Sequence, residues 1–386
     1  MKKYRFCGII TKAFGVKAFM LDNLRYASEN GPFDSYFICE RTNEFTNSEL
    51  KSLSYLPIDI NRGNVSPLEV FRCTYRMFKI FRKHKFDIIQ FASSNAGLYA
   101  SVAGWFARVP VRVYCQWGIS YTDYTGPKLL FYKLMEKLTC AFATHVQPDS
   151  FANLEFAISE GLYSRRKGSV IGKGSATGVD MAKYDKRQAA KWREKIRRQY
   201  NIPLEVKVIG FVGRLVPEKG VNELLEAFMS LQEKSLRLLI VGPNYETERL
   251  NQDLWEKAHH DQRIVFCGSQ SNTAPYYAAM DFLVLPSYRE GFGAVVLEAG
   301  AMGIPTVCSN IKGPTEFVKH NITGLICEPM SVESLKSAFD EALALDEAGY
   351  SKLSDAAYET VKADYDAAVF RKYFLENRIQ LLNIIK

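Results

Sequence analysis

The sequence predicts an α/β protein built on two doubly wound parallel sheets. Three observations carry that expectation. Short β-branched and aromatic runs alternate with amphipathic stretches from end to end, the pattern of parallel strands joined by helical crossovers. The alternation supplies strands enough for two sheets. At 386 residues the chain also exceeds what one ordinary hydrophobic core organises, so it divides into two domains.

In order, strands are expected at 4–10, 34–39, 88–91, 111–115 and 144–147, with helical patterns such as 127–142 between them. The second half offers strands at 206–212, 237–241, 264–266, 282–286, 306–309 and 324–326, separated by helices such as 220–231 and 331–345. The small, glycine-rich "GKGSATGVD" at 172–180 precedes a basic helix, "KRQAAKWREKIRRQY", and marks the seam between a domain at 1–178 and a domain at 179–365. The last stretch, "FRKYFLENRIQLLNIIK", is an amphipathic helix within 366–386. Two doubly wound sheets facing one another place ligands at the carboxyl ends of their strands.

With 47% hydrophobic and 24% charged residues, the composition is that of a soluble globular protein. The eight cysteines are scattered without a Cys-x-x-Cys pair, and the five histidines show no metal-ligand spacing. No metal site is expected, and the thiols fit a reducing cytoplasm. The apolar run at 6–10 is too short for a signal peptide, and no uncharged apolar run reaches the ~18 residues of a membrane span. The expected location is therefore the inner side of the membrane.

Charge is distributed unevenly. Residues 1–180 hold 24 Lys and Arg against 15 Asp and Glu, a net of +9, while the remainder holds 26 against 27. The excess is densest in "FRCTYRMFKIFRKHKF", 71–86, where basic and aromatic residues interleave. Such a segment attracts anionic lipid, a pyrophosphate-bearing lipid or nucleic acid. No nucleic-acid-binding motif accompanies it, so the expected partner is an anionic membrane surface and not nucleic acid. The plainer alternative is a solvated helix face ahead of the buried strand 88–91.

Two loops carry candidate chemistry. "GFVGRLVPEKG", 210–220, sets Arg214 and Lys219 between a strand and a helix, which suits a diphosphate, although it lacks the Gly-Lys-Ser/Thr of a Walker loop. The plain reading is a loop of solvated cations. "EGFGAVVLE", 290–298, puts Glu290 in a loop over 286–293 and Glu298 about one and a half turns into a helix over 294–302. Carboxylates so placed can accept hydrogen bonds from sugar hydroxyls along an elongated site. Glycoside hydrolysis would instead need them facing each other across one bond. Glu298 stands among apolar residues, which argues against a merely solvated acid. The Gly-x-Gly pattern in "GKGSATG" opens no convincing helix, so a nicotinamide site is not expected there, and "DYD" at 364–366 follows no buried strand.

Together these residues resemble the GT-B glycosyltransferases of family 4, over nearly the whole chain and most strongly over 206–330. "FVGRLVPEKG", "VFCG", "DFLVLPSYREGFGAVVLEAGAMGIPTV" and "GPTEFVKHNITGLICEP" stand in that family's order and spacing. "VPVRVYCQWG", "LMEKLTCAFATHV" and "GKGSATGVD" are similar to the subgroup that builds capsular, exopolysaccharide and lipid-linked oligosaccharide chains.

The resemblance implies a GT-B fold with an acceptor-binding domain at 1–178, a nucleotide-sugar-binding domain at 179–365, and a helix at 366–386 that packs back on the first domain. It implies that Glu298 holds the ribose hydroxyls. Arg214 and Lys219 would bind the donor diphosphate, and Glu290, with the backbone of Phe292, Gly293 and Ala294, would hold the donor sugar. The backbone at Phe266, Cys267 and Gly268 would meet the base, and Gly15, in the first loop, would lie under the phosphates. Transfer would retain anomeric configuration without a metal or other cofactor.

Many members carry His where this chain has Trp117, so Gln116 or Trp117 would take over on the acceptor side. The implied reaction moves a hexose or N-acetylhexosamine from a nucleoside diphosphate, UDP first, to a polyprenyl-diphosphate-linked glycan at the inner membrane face. Two alternatives share these motifs: a GT-B enzyme that epimerises or phosphorolyses, and a non-catalytic nucleotide-sugar-binding protein.

Overall fold

The computed structural model describes residues 3–59 and 67–384. It divides into two compact units, Met1–Thr177 with Ala368–Lys386, and Gly178–Ala367.

The first unit runs β1 (Tyr4–Ile9), α1 (Ala13–Phe19), α2 (Leu21–Asn30), β2 (Phe33–Glu40), β3 (Leu53–Ile58), α3 (Pro67–His84), β4 (Ile88–Ala92), α4 (Ser94–Phe106), β5 (Val111–Gln116), α5 (Gly126–Phe142), β6 (His145–Pro148) and α6 (Phe151–Ser159). All strand pairs are parallel, in the order β3-β2-β1-β4-β5-β6. The chain winds outward from β1 in both directions, so helices cover both faces, and every residue of β4 is buried.

The five expected strands of this half are present. β3 is a sixth that the sequence did not announce, because Pro57 lies within it, opposite Cys39. At the sheet edge a proline sacrifices no ladder bond, so the strand forms regardless.

The second unit runs α7 (Ala189–Gln199), β7 (Lys207–Val212), α8 (Val221–Ser230), β8 (Leu236–Val241), α9 (Gln252–His260), β9 (Ile264–Gly268), α10 (Ala274–Ala279), β10 (Phe282–Leu285), α11 (Ala294–Ala301), β11 (Thr306–Ser309), α12 (Pro314–Phe317), β12 (Gly324–Cys327), α13 (Val332–Ala344) and α14 (Glu347–Thr360). Its parallel sheet has the equivalent order, β12-β11-β10-β7-β8-β9. Asp281 anchors the start of β10, taking Arg193 at 2.8 Å, the fully buried Arg197 at 3.0 Å and the backbone amide of Val208 at 2.7 Å. Segment 172–178 forms turns and no helix, and Val179 bridges to Asp366.

α15 (Ala367–Leu381) lies against the first sheet. Phe374 packs on Phe6 at 6.1 Å between ring centroids, and the buried guanidinium of Arg378 donates to Gln90 Oε1 at 2.6 and 3.2 Å. Two six-stranded parallel sheets, each wrapped by helices, make this the α/β two-domain architecture expected from the alternation.

Candidate functional site

β7 and β10 are neighbours, with Ile209 opposite Phe282, so the loops that leave them lie side by side. Their approach is close. Gly220 has φ of 69°, and a Cβ there would sit 2.1 Å from the carbonyl oxygen of Pro286. The amide of Tyr288 donates to the carbonyl of Glu218 at 3.0 Å. Lys219 Nζ is thereby held 2.5 Å from Glu290 Oε1, and Ser287 Oγ donates to the same oxygen at 2.8 Å. Both charged side chains are mostly shielded, 21% and 11% exposed, and low local dielectric strengthens their attraction.

Arg214, on the same loop as Lys219, is exposed and faces another acid. Its Nη1 is 3.5 Å from Glu246 Oε1, while Glu246 Oε2 takes Arg249 at 2.8 Å. The structure therefore brings Lys219 and Glu290 together and turns Arg214 toward Glu246.

Gly293 starts α11, and Ala294 is its first, exposed residue. Phe292 is buried with its ring 5.4 Å from that of Tyr365, so only its backbone is available to a ligand. Glu298 lies in the second turn of α11. Its Oε2 accepts from the hydroxyl of Tyr277 at 2.7 Å, and Tyr277 is wholly buried. Burial pushes the Glu298 carboxyl up, while the hydroxyls of Tyr277 and Tyr184, and the charge of Lys183, favour its ionised form. The Tyr184 hydroxyl also lies 3.0 Å from Thr273 Oγ1. A carboxylate held in this way keeps further lone pairs with which to accept hydrogen bonds from a ligand's hydroxyls.

At the end of β9, Phe266 stacks on His259 at 4.3 Å. Cys267 is buried, its thiol pushed up to about 12 by desolvation, and its carbonyl accepts from Gln270 at 2.7 Å. Gly268 is exposed, and its carbonyl takes the Gly242 amide at 2.9 Å.

In the first unit two expectations need correction. Gly15 is not in a loop but inside α1, closed over by Ile10; the connection from β1 is residues 10–12, where Lys12 pairs with Glu40 at 2.7 Å. Gln116 is fully buried. Its amide donates to Glu136 at 2.5 Å and its carbonyl accepts from Tyr163 at 3.0 Å. It is a core polar group and offers an acceptor nothing. Trp117 is half-buried, its ring 5.2 Å from Phe19, and with Gln147 and Phe374 it lines a small cavity.

Tyr184, Tyr277 and Ser287 are site residues that sequence reasoning missed. Ser287, three residues before Glu290 in "PSYRE", offered a spacing signal; the tyrosines, distant in sequence, offered none.

One family model, "Glycosyl transferases group 1", matches residues 192–360, and another, "Glycosyl transferase 4-like", matches 29–150. The capsular polysaccharide biosynthesis glycosyltransferase CapM of Staphylococcus aureus is 28% identical over 271 residues, 69% of this chain and 70% of that one. The Escherichia coli UDP-Gal:alpha-D-GlcNAc-diphosphoundecaprenol alpha-1,3-galactosyltransferase is 26% identical over 315 residues, 80% of each. A Rickettsia africae glycosyltransferase structure superposes with a TM-score of 0.81 at 20% identity, covering all of both chains. Anabaena Alr3699/HepE, crystallised in complex with UDP, gives 0.78 at 19% identity, covering 98% of this chain and 100% of that one, a likeness of fold. With family models matched in both units and the paired doubly wound sheets shared at that level, the chain belongs to the GT-B glycosyltransferases of family 4.

Proposed function

We propose that this glycosyltransferase moves a hexose or N-acetylhexosamine from UDP to a polyprenyl-diphosphate-linked glycan in surface-polysaccharide synthesis, with retention of configuration and without a metal. One observation carries the reading. At the carboxyl end of a single sheet, a carboxylate braced by tyrosine hydroxyls, Glu298, stands on the helix that follows a mostly buried Lys219–Glu290 pair. The first suits vicinal ribose hydroxyls, and the second suits a diphosphate beside a sugar. The names of two relatives support it: CapM is a capsular enzyme, and the Escherichia coli relative uses UDP-galactose and a diphosphoundecaprenol acceptor. Alr3699/HepE was crystallised with UDP.

In this reading Lys219 and Arg214 take up the charge that develops on the departing diphosphate, a role for fixed cations in a shielded site. Glu290 and the backbone of Phe292 and Gly293 hold the sugar. The acceptor hydroxyl passes its proton to the leaving phosphate as the new glycosidic bond forms on the face the diphosphate leaves. Lys219 pairs with Glu290 and Arg214 with Glu246, so the donor's phosphate oxygens would compete with these carboxylates for the two cations. Among the described residues no helix is long and apolar enough to cross a membrane. The chain would meet its acceptor by lying on the inner face of the cell membrane.

The test is calorimetric titration with UDP, GDP and NAD in EDTA, beside Glu298→Ala. The expected result is UDP binding without metal, lost in the variant. Preference for GDP would change the donor. Equal binding by the variant would remove Glu298 from the ribose.

A further inference from the structure

α3, α4 and α5 each join one strand to the next in the same direction across the first sheet, so they lie side by side on one of its faces. Their outward surface is unusual for a soluble protein. Leu68, Phe71 and Tyr75 of α3 and Leu130, Phe131 and Leu134 of α5 are each between 47% and 68% exposed. Between the two ridges, α4 presents Leu98 and Val102, half-buried, and no charged residue. Phe71 and Tyr75 stack nearly flat, 6.1 Å apart at 2°, and Lys79 Nζ lies 4.5 Å over the Tyr75 ring.

An apolar surface of this extent implies an occupant. Charge identifies it. The three helices carry eight Lys and Arg against two acids, and one of those, Glu136, is buried beneath Gln116 and Tyr114. Exposed aromatic and aliphatic side chains rimmed by Lys and Arg match an anionic bilayer, where rings sit at the headgroup level and basic side chains reach the lipid phosphates. A protein surface would find almost no acid here with which to pair its own cations.

Position adds a reason. Crossover helices run antiparallel to the strands they connect, so the first turns of α3 and α5, which carry these side chains, lie toward the carboxyl edge of the sheet.

We propose that this three-helix face is a membrane-docking surface, with Phe71, Leu130, Phe131 and Leu134 entering the headgroup layer of an anionic bilayer. The proposal rests on the reading that the acceptor is carried by a lipid, and it assigns the orientation: the carboxyl edge of the first sheet is held at the height of the lipid's diphosphate. It extends the basic 71–86 segment to a surface centred as much on α5, where the sequence showed no charge cluster.

The test is co-sedimentation of the full chain with phosphatidylcholine vesicles and with vesicles half phosphatidylglycerol. The expected result is binding at least about tenfold tighter to the anionic vesicles, weakened by salt. Leu130→Ser/Phe131→Ser/Leu134→Ser lowers that binding about tenfold or more. Lys128→Glu/Lys137→Glu does so by charge alone with the apolar residues intact, and both variants keep the wild-type melting temperature. Equal binding by wild type and both variants overturns the proposal, as does a wild-type dimer that ignores vesicles and is split by the triple variant, which would make a second copy the occupant. UDP titration of the same samples separates the two readings: vesicle docking without UDP binding leaves this surface standing and sinks the proposed donor, and the converse spares the donor alone.

Discussion

Glu298 is held between opposing pressures. Burial favours its protonated form, and the Tyr277 hydroxyl at 2.7 Å favours its ionised form. Because the folded value is raised, this group's contribution to stability is fully present below the ordinary carboxylate range and is lost as pH rises through the raised value. Binding of ribose hydroxyls runs the other way, since it needs the carboxylate. Tyr277→Phe removes a donor to the ionised form and moves Glu298 further up. UDP affinity, followed by calorimetry from pH 5 to 8, is therefore expected to weaken about tenfold and to begin its acid decline at higher pH in the variant. The phosphate of UDP titrates identically in both samples, so superimposable profiles would refute the bracing role. The Lys219–Glu290 pair gives a second expectation at this scale. Lys219→Ala lowers kcat at saturating donor about 10²–10³-fold, and adding Glu290→Gln costs less than the two losses summed, because each acts through the other. Additive losses would mean that the contact at 2.5 Å does not matter to turnover. The acids and cations of this site were legible in the sequence as charges in loops between strand and helix, which by pattern alone read equally as solvated; the order and spacing shared with the family supplied their expected roles. The hydroxyls that orient them were not, since Tyr277 looks like any other apolar-phase ring until the fold sets it against α11.

At the level of elements, the alternation of β-rich and amphipathic runs located eleven of the strands, and what it missed has a physical cause in each case. β3 was hidden by Pro57, which an edge strand tolerates. The resemblance implies a loop at Gly15, whereas α1 has already begun there, and with no capping side chain at Lys12 its start leaves no signal in the sequence. Gln116 was named for the acceptor side because Trp117 stands where many family members carry His, but Glu136 and Tyr163 satisfy its side chain inside the core. The loops after β7 and β10 depend on a contact that only the structure displays. Gly220 and Gly268 have nearly the same φ, 69° and 66°, but a Cβ at Gly268 meets nothing within 4 Å while one at Gly220 strikes the Pro286 carbonyl. Gly268→Ala should therefore cost the left-handed penalty alone, about 1–2 kcal/mol in urea unfolding. Gly220→Ala should cost more than that and should weaken UDP binding as well, by parting Lys219 from Glu290. Equal costs would show that the two loops are not clamped through this glycine.

For the whole molecule, the chain's final helix belongs to the unit in which the chain began, and its anchoring residues are deeply buried. Phe374 is 1% exposed beneath Phe6, and Arg378 is fully buried, its guanidinium pushed down to about 10 by desolvation. Among the described residues Arg378 has no carboxylate partner; it is held by the amide oxygens of Gln90 and Asn377 and by the Phe374 ring at 4.4 Å. A cation buried on these terms adds little net stability and fixes instead which segment of the sheet the last helix meets. The apolar contacts carry the energy. Phe374→Ala removes a large buried ring at a cost of about 3–5 kcal/mol, a large part of the ~5–15 kcal/mol that holds a typical domain folded. The loss falls on the first unit, because the residues packed around Phe374 all lie in Met1–Thr177 and Ala368–Lys386. Amide hydrogen exchange in Phe374→Ala should then quicken about 10²–10⁴-fold in β1 and β4, in step with that loss, and stay at the wild-type rate in β7 and β8. Equal acceleration in all four strands would show that the two units open as one cooperative body.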